Sequence, residues 1–273
     1  MGLLATAMQP VLNRDQMRRY DALVISEGKL PGIVLMENAG RGAFECLQRL
    51  LAGHVAGLPH VLIVCGPGNN GGDGYVVARH LLALRNMQAT VEVLILADRS
   101  QIQGDAAINL ESLLALAPAT VRFCAPTSPQ LEEALARADF VVDAIFGTGL
   151  SRPVAGEMLQ AIERLNHATA VRVALDVPSG LDCNTGQQLG GCVQAHHTVT
   201  FGYPKPGLLT PQGKDKSGEL HSVGLGIPDS TILAQTGQAA ALLSGDDILP
   251  VLSPRHASTF KHRSGDILVV AGS

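Results

Sequence analysis

Tryptophan is absent from this chain, and aromatic residues make up only 3% of it. A surface on which single-stranded nucleic acid stacks its bases needs such rings. Basic residues number 20 against 24 acidic ones, for a formal charge of −4, and no Lys/Arg cluster breaks the balance. The electrostatic footprint of nucleic-acid binding is therefore missing too. Long apolar runs are also lacking. The most apolar stretch, Val91 to Ala97, is closed off by Thr90 and Asp98, far short of the ~20 residues that cross a bilayer. The opening MGLLATAMQPVL has no basic residue ahead of its apolar ones and makes a poor secretory signal. Cysteine is scarce and scattered. Cys46, Cys65, Cys124, Cys183 and Cys192 form an odd set without a CxxC pair, which fits buried thiols in a reducing, cytoplasmic setting better than a disulfide framework.

What is present is apolar bulk. Hydrophobic residues reach 46% and charged ones 16%, the reverse of a disordered composition. At ~150 residues per domain, 273 residues allow between one and two domains with a sizeable core.

The chain opens with two helical patterns. Met17, Tyr20, Val24 and their neighbours repeat at helical spacing after a candidate cap at Asn13, and the run closes at Gly28. A second run starts at Pro31 and carries Leu35, Met36, Ala39, Ala43, Phe44 and Leu47 on one stripe, with the small pair Ala39 and Gly40 permitting close packing. Beyond Pro59 the texture changes to short apolar runs alternating with amphipathic ones. Strands are expected at Val61 to Cys65, Val91 to Leu96, Val121 to Phe123, Phe140 to Ala144, Val171 to Asp176, His197 to Phe201 and Glu219 to Val223. Helices are expected at Gly72 to Arg85, Gly104 to Leu116, Pro129 to Ala138 and Gly156 to Leu165. This alternation is the signature of an α/β fold wound around a buried, mostly parallel sheet, whose ligands sit at the carboxyl ends of the strands. After Gly226 the composition turns to Ala, Gly, Ser and Asp, with one short helix expected from Ser230 to Leu243 and a new apolar strand over Asp266 to Ser273.

The densest chemical signal is CGPGNNGGDG, Cys65 to Gly74, between a strand and a helix. Glycine permits positive φ and removes the Cβ, so successive N–H groups can ring an anion that the following helix also attracts; phosphate is the expected occupant. Gly66, Gly68 and Gly71 formally spell GxGxxG, which keeps open a nicotinamide-dependent oxidoreductase with Glu92 or Asp98 as its ribose-binding acid. The amides and acid of Asn69, Asn70 and Asp73 crowd that turn and argue against this reading. A non-catalytic nucleotide-binding or scaffold protein is a second alternative. Two acids stand at neighbouring strand tips, Asp143 in VVDAIFGTGLSRPV and Asp176 in DVPSGLD. A buried Asp143 needs a cation or several donors to stay ionised, and such pairs commonly divide into a structural and a titrating member. Lys205, between two prolines in FGYPKPG, stands at another strand exit where its charge can face the acids. Ser179 lacks the GxSxG context of a nucleophile. The nine histidines show no HxxH or HxxxH spacing, so the sequence supports no zinc site.

Taken together, LMENAG (35–40), GPGNNGGDGYVVARHL (66–81), VDAIFGTGL (142–150), DVPSGLDCNTG (176–186) and TFGYPKPG (200–207) resemble the NAD(P)H-hydrate epimerases, the YjeF N-terminal family. The resemblance covers roughly residues 11 to 227 in the family's order. It implies a Rossmann-like three-layer αβα sandwich, usually a homodimer. It also implies interconversion of the R and S forms of NADH and NADPH hydrated at ring carbon 6. By the same resemblance, potassium ligands fall on Asn70, Asp143 and Ser179. Substrate contacts fall on Asn69, Asn70, Gly71, Gly72, Asp73, Gly147, Thr148, Gly149, Leu150, Ser151, Arg152, Pro153 and Asp176. Asp176 is then the expected general acid/base, with Lys205 orienting it. FKHRSGDILVVAGS (260–273) resembles the entry strand of an ADP-dependent dehydratase domain. The expected organisation is an epimerase domain over residues 1–227 and, over 228–273, a linker with the truncated start of that second domain, without dehydratase activity.

Overall fold

The computed structural model describes residues 8–84, 89–238, 240–243 and 247. Two compact units are present, one over Pro10–Ala240 and one made of Met1–Gln9 with Ala241–Ser273, few of whose residues are described. The strand expected over Asp266 to Ser273 lies outside the described residues.

The larger unit is built on a seven-stranded sheet: β1 (His60–Cys65), β2 (Thr90–Ile95), β3 (Val121–Phe123), β4 (Phe140–Ala144), β5 (Val171–Leu175), β6 (His197–Phe201) and β7 (Glu219–Val223). The spatial order is β3-β2-β1-β4-β5-β6-β7, and every neighbouring pair runs parallel. Parallel strands buried on both faces read as unbroken apolar runs, and the alternation of their side chains sorts them between two cores. Ile63 and Cys65 of β1 face α1 (Arg14–Ser26), α2 (Gly32–Ala52), α3 (Asn69–Leu82) and α4 (Gly104–Leu116). Leu62 and Val64 face α5 (Pro129–Arg137) and α6 (Gly156–His167). This is the expected αβα sandwich with two leading helices.

Local chemistry explains the element ends. Asn13 and Gln16 form a reciprocal capping box, Asn13 Oδ1 accepting from the Gln16 N–H at 2.9 Å and Gln16 Oε1 from the Asn13 N–H at 3.0 Å. Gly40 of α2 lets α3 approach, because a Cβ there would lie 2.4 Å from Val76. The helix expected from Ser230 spans Asp229–Thr236 and is shorter than expected. Two short helices, α7 (Pro206–Leu209) and α8 (Pro211–Ser217), occupy the stretch after Lys205 that had no element assigned.

One correction concerns the glycine loop. α3 begins at Asn69, three residues before the expected start, and none of the glycines between Gly66 and Gly74 takes a positive φ. Gly66, Gly71, Gly72 and Gly74 serve close packing instead, whereas a Cβ on Gly68 would meet nothing within 4 Å. A Cβ on Gly71 would lie 2.1 Å from the Gly66 carbonyl oxygen, and one on Gly72 2.6 Å from the Met36 sulfur.

Strand order reverses beside β1, whose neighbours β2 and β4 belong to opposite halves of the sheet. The crevice above such a reversal is where open α/β sheets bind ligands, and the ends of β1, β4, β5 and β6 all open there.

Candidate functional site

A cleft of about 770 Å³ lies at this switch point, within the roughly 300–1,000 Å³ of small-molecule and cofactor sites. Its walls include Gly68, Asn69, Asn70 and Asp73 after β1, Gly147 to Arg152 after β4, Asp176 after β5, and Lys205 after β6. The strand tips thus converge as expected. Gly71, Gly72 and Pro153 do not line the cleft. The two glycines serve helix packing as described.

Asp176 is the focal group. Its backbone takes the left-handed conformation, φ +64°, a strain of about 1–3 kcal/mol that persists only where the surroundings fix it. The Asp176 N–H donates to the Val199 carbonyl at 2.7 Å. Oδ1 accepts from Lys205 Nζ at 2.6 Å, and Oδ2 from the Thr148 N–H at 2.9 Å. Burial alone raises this carboxyl, but the Lys205 ammonium and the Thr148 donors outweigh it and hold it below the usual carboxylate range. Lys205, 1% exposed, spends its other donors on Thr200 Oγ1 and the Phe201 carbonyl, both at 2.8 Å. Its ammonium is immobilised against one carboxylate.

Asp73 has the opposite character. It is 8% exposed, and burial, followed by the negative charges of Asp176 and Asp21, raises its carboxyl well above the usual range. The cleft therefore holds two acids whose surroundings push them in opposite directions, Asp176 down and Asp73 up, a division common in acid/base sites. Burial likewise raises Asp21 to about 6.

Asp143 and Asn70 build a different environment. Asp143 is fully buried. Its Oδ1 accepts from the Ser179 hydroxyl at 2.5 Å and the Ile145 N–H at 3.2 Å, and its Oδ2 from the Ser179 N–H at 2.8 Å. Burial raises Asp143 to about 6 in spite of these donors. The Ser179 oxygen also accepts from the Phe146 N–H at 2.8 Å, one residue from Gly147, where a Cβ would lie 3.4 Å from the Asn70 carboxamide carbon. Both polar atoms of that carboxamide are buried without a hydrogen-bond partner. An unsatisfied amide oxygen, a buried carboxylate and a hydroxyl are hard oxygen donors, and they fit a hard cation.

The helix end beside them favours anions. Gly68 caps α3 without a side-chain bond, and the first intrahelical donor at this cap is the Gly72 N–H, which reaches the Gly68 carbonyl at 3.2 Å. The N–H groups of the preceding turn and the positive end of the helix thus remain for a ligand. The acids of the oxidoreductase alternative lie elsewhere. Glu92 pairs with His60, Arg122 and Arg137, and Asp98 caps a 3₁₀ turn.

The sequence reading missed Asp21 and Arg14. Asp21 stands four residues after Met17 and three before Val24, both buried, so it interrupts an inward stripe, and that interruption is the signal. Arg14 donates through Nε to the Thr148 carbonyl and through its guanidinium to the Leu150 carbonyl, both at 2.7 Å, and pairs with Asp182 at 3.1 Å. It fixes the loop that aims Thr148 at Asp176.

A family model described as YjeF-related protein N-terminus matches residues 32–207. The chain is 42% identical over 259 residues to the bifunctional NAD(P)H-hydrate repair enzyme Nnr of Moorella thermoacetica, covering 94% of this chain and 48% of that protein. It is 38% identical over 233 residues to the NAD(P)H-hydrate epimerase of Rhodopirellula baltica, covering 83% of this chain and 91% of that one. The chain thus spans about half the length of the bifunctional relative and nearly all of the epimerase. The crystal structure of the yeast protein YNL200c superposes with a TM-score of 0.69 at 23% identity, over 87% of this chain and 98% of that one, and shows the same fold. The family model and the epimerase relative agree, and the chain belongs to the family of YjeF-related N-terminal domains.

Proposed function

We propose that this chain is an NAD(P)H-hydrate epimerase, interconverting the R and S forms of NADH and NADPH hydrated at ring carbon 6. The observation that carries the reading is the Asp176–Lys205 pair in the wall of the cleft that Asp73 also lines. The relatives named NAD(P)H-hydrate epimerase support the substrate class.

Inverting this centre requires no net oxidation. The hydroxyl-bearing carbon is bonded to the ring nitrogen, so the centre is lost either when the hydroxyl leaves or when the carbon–nitrogen bond opens to a carbonyl. Both routes need one group that takes a proton and one that gives it, and both are reversed on the other face. The carboxylate of Asp176 is the acceptor and the neutral carboxyl of Asp73 the donor. Lys205 touches Asp176 rather than solvent and keeps it ionised. The open N–H groups at the start of α3 receive the diphosphate. Asn70, Asp143 and Ser179 would hold a hard monovalent cation, potassium by preference, which when bound supplies positive charge beside the phosphate-bearing end of the cleft. The free thiols support a reducing, cytoplasmic setting, and no helix among the described residues is long and apolar enough to cross a membrane.

The test is incubation with one purified epimer of hydrated NADH and separation of the diastereomers by chromatography. The expected result is approach to a common mixture from either epimer; persistence of the starting epimer at the uncatalysed rate contradicts the proposal. A change in 340 nm absorbance with candidate alcohol substrates would favour the oxidoreductase instead.

A further inference from the structure

Far from the cleft, the first residues of β6 and β7 bring two imidazoles and a carboxylate together. His197 is in register with Glu219, and Val199 with His221. Residues two apart on a strand share a face, so His197, Glu219 and His221 lie on one side of the sheet, the side on which Val223 meets Gly42 of α2. His197 Nδ1 lies 3.3 Å from His221 Nε2 and 3.5 Å from Glu219 Oε2, and His221 Nε2 lies 3.9 Å from Glu219 Oε1. One ligand atom from each of the three falls within 4.8 Å of the others.

These separations have a chemical meaning. A tetrahedral zinc ion with bonds of about 2.0–2.1 Å holds neighbouring ligand atoms roughly 3.3 Å apart. The imidazole pair already stands at that spacing, and the longer gaps involve a mobile side chain that is 68% exposed and free to close. The imidazole side chains are only 20% and 23% exposed, so their facing nitrogens are held by the sheet. A direct hydrogen bond between them uses one lone pair and one proton; a cation instead takes both lone pairs. The two nitrogens and the exposed carboxylate oxygen occupy three positions and leave the fourth to water.

We infer that His197, Glu219 and His221 form a binding site for a divalent transition metal of the zinc class, clamping the edge strand β7 to β6. Two imidazoles and a carboxylate suit zinc, cobalt and nickel rather than alkali cations, so this site is chemically distinct from the oxygen-lined one beside Asp143. The four steps from His197 to Phe201 span roughly 13 Å of strand, which places the metal at the end of the sheet away from the reaction. Its effect is on stability, not turnover. The histidine spacing along the sequence hid the site, because its ligands come from two strands.

The experiment uses the full chain, stripped with chelator and kept in potassium buffer. Zinc is titrated by calorimetry and cobalt by visible absorption, with melting followed in parallel. The expected result is one zinc bound per chain with low-micromolar affinity, cobalt bands of a four-coordinate site, and a higher melting temperature. His221→Ala is expected to weaken binding at least 50-fold and to abolish the thermal gain without changing epimerisation. Glu219→Gln, which keeps both rings, is expected to weaken binding about tenfold and serves if His221→Ala fails to fold. Absence of zinc binding by the wild type, or unaltered binding in either variant, overturns the assignment.

Discussion

Replacing Lys205 with Met retains a long apolar stem and removes the ammonium that Asp176 faces at 2.6 Å. The pair is nearly dry, with side-chain exposures of 1% and 13%, so solvent screening takes away little of the effect. Removing one partner of a buried ion pair costs about 3–5 kcal/mol, because the remaining charge is stranded. For a chain of this size that is a melting temperature lower by roughly 6–20 °C. The pH dependence has a definite sign. In the wild type the folded carboxyl of Asp176 ionises more readily than the unfolded one. Its share of stability is therefore present above the unfolded value of about 3.9 and is lost as pH falls through the lower folded value. In Lys205→Met burial, the largest influence on this carboxyl, is opposed only by the Thr148 donors. The carboxyl then moves above the usual range, and its share becomes a penalty that grows as pH rises. Catalysis shifts in the opposite direction, since a base of raised pKa works only at higher pH. Epimerisation by the variant is expected to fall about 100-fold at pH 6 and to recover partly by pH 9, measured well below its melting temperature. An unchanged melting temperature together with a wild-type pH–rate profile would refute the reasoning.

Three further outcomes follow from the same geometry. Arg14→Ala frees the Gly147 to Leu150 loop from its guanidinium clamp and is expected to lower kcat/KM roughly 10- to 100-fold, about 1.4–2.7 kcal/mol, with a smaller loss in urea stability. Gly147→Ala places a methyl group 2.8 Å from Asp176 Oδ2; kcat is expected to drop more than tenfold while circular dichroism and melting change little, and a wild-type rate contradicts the assigned position. Asp21→Asn removes an acid that burial raises to about 6. A raised carboxyl loses its contribution as pH climbs from about 4 through 6, so the variant is expected to be more stable than the wild type by about 1 kcal/mol at pH 7.5 and by less at pH 5 in urea unfolding.

The sheet was legible because its strands are buried on both faces, so Val61 to Cys65 and Phe140 to Ala144 read as unbroken apolar runs and were placed within a residue of their ends. The meeting of Asp176 and Lys205 was legible for a topological reason: parallel strands present all their carboxyl ends on one edge. Glycine misled at α3. A run of residues poor in helix propensity reads as loop, yet Gly71, Gly72 and Gly74 sit inside a helix because only a missing Cβ lets that turn pack against Gly66, Met36 and Ala144. Arg14 was invisible for another reason. Its partner carbonyl on Thr148 is 134 positions away, and a backbone acceptor leaves no trace in residue identity. The opposite pulls on the carboxyls of Asp73 and Asp176 were equally hidden, since they arise from burial and charge at distances that only folding sets.

The most direct trial of the account is the rate at which Asp176→Asn converts one epimer of hydrated NADH into the other. The side chain keeps its size and loses its capacity to accept a proton. The account predicts a kcat reduced by at least 100-fold with substrate affinity changed far less. Interconversion within a few-fold of the wild type, by a variant that folds and binds normally, would contradict it.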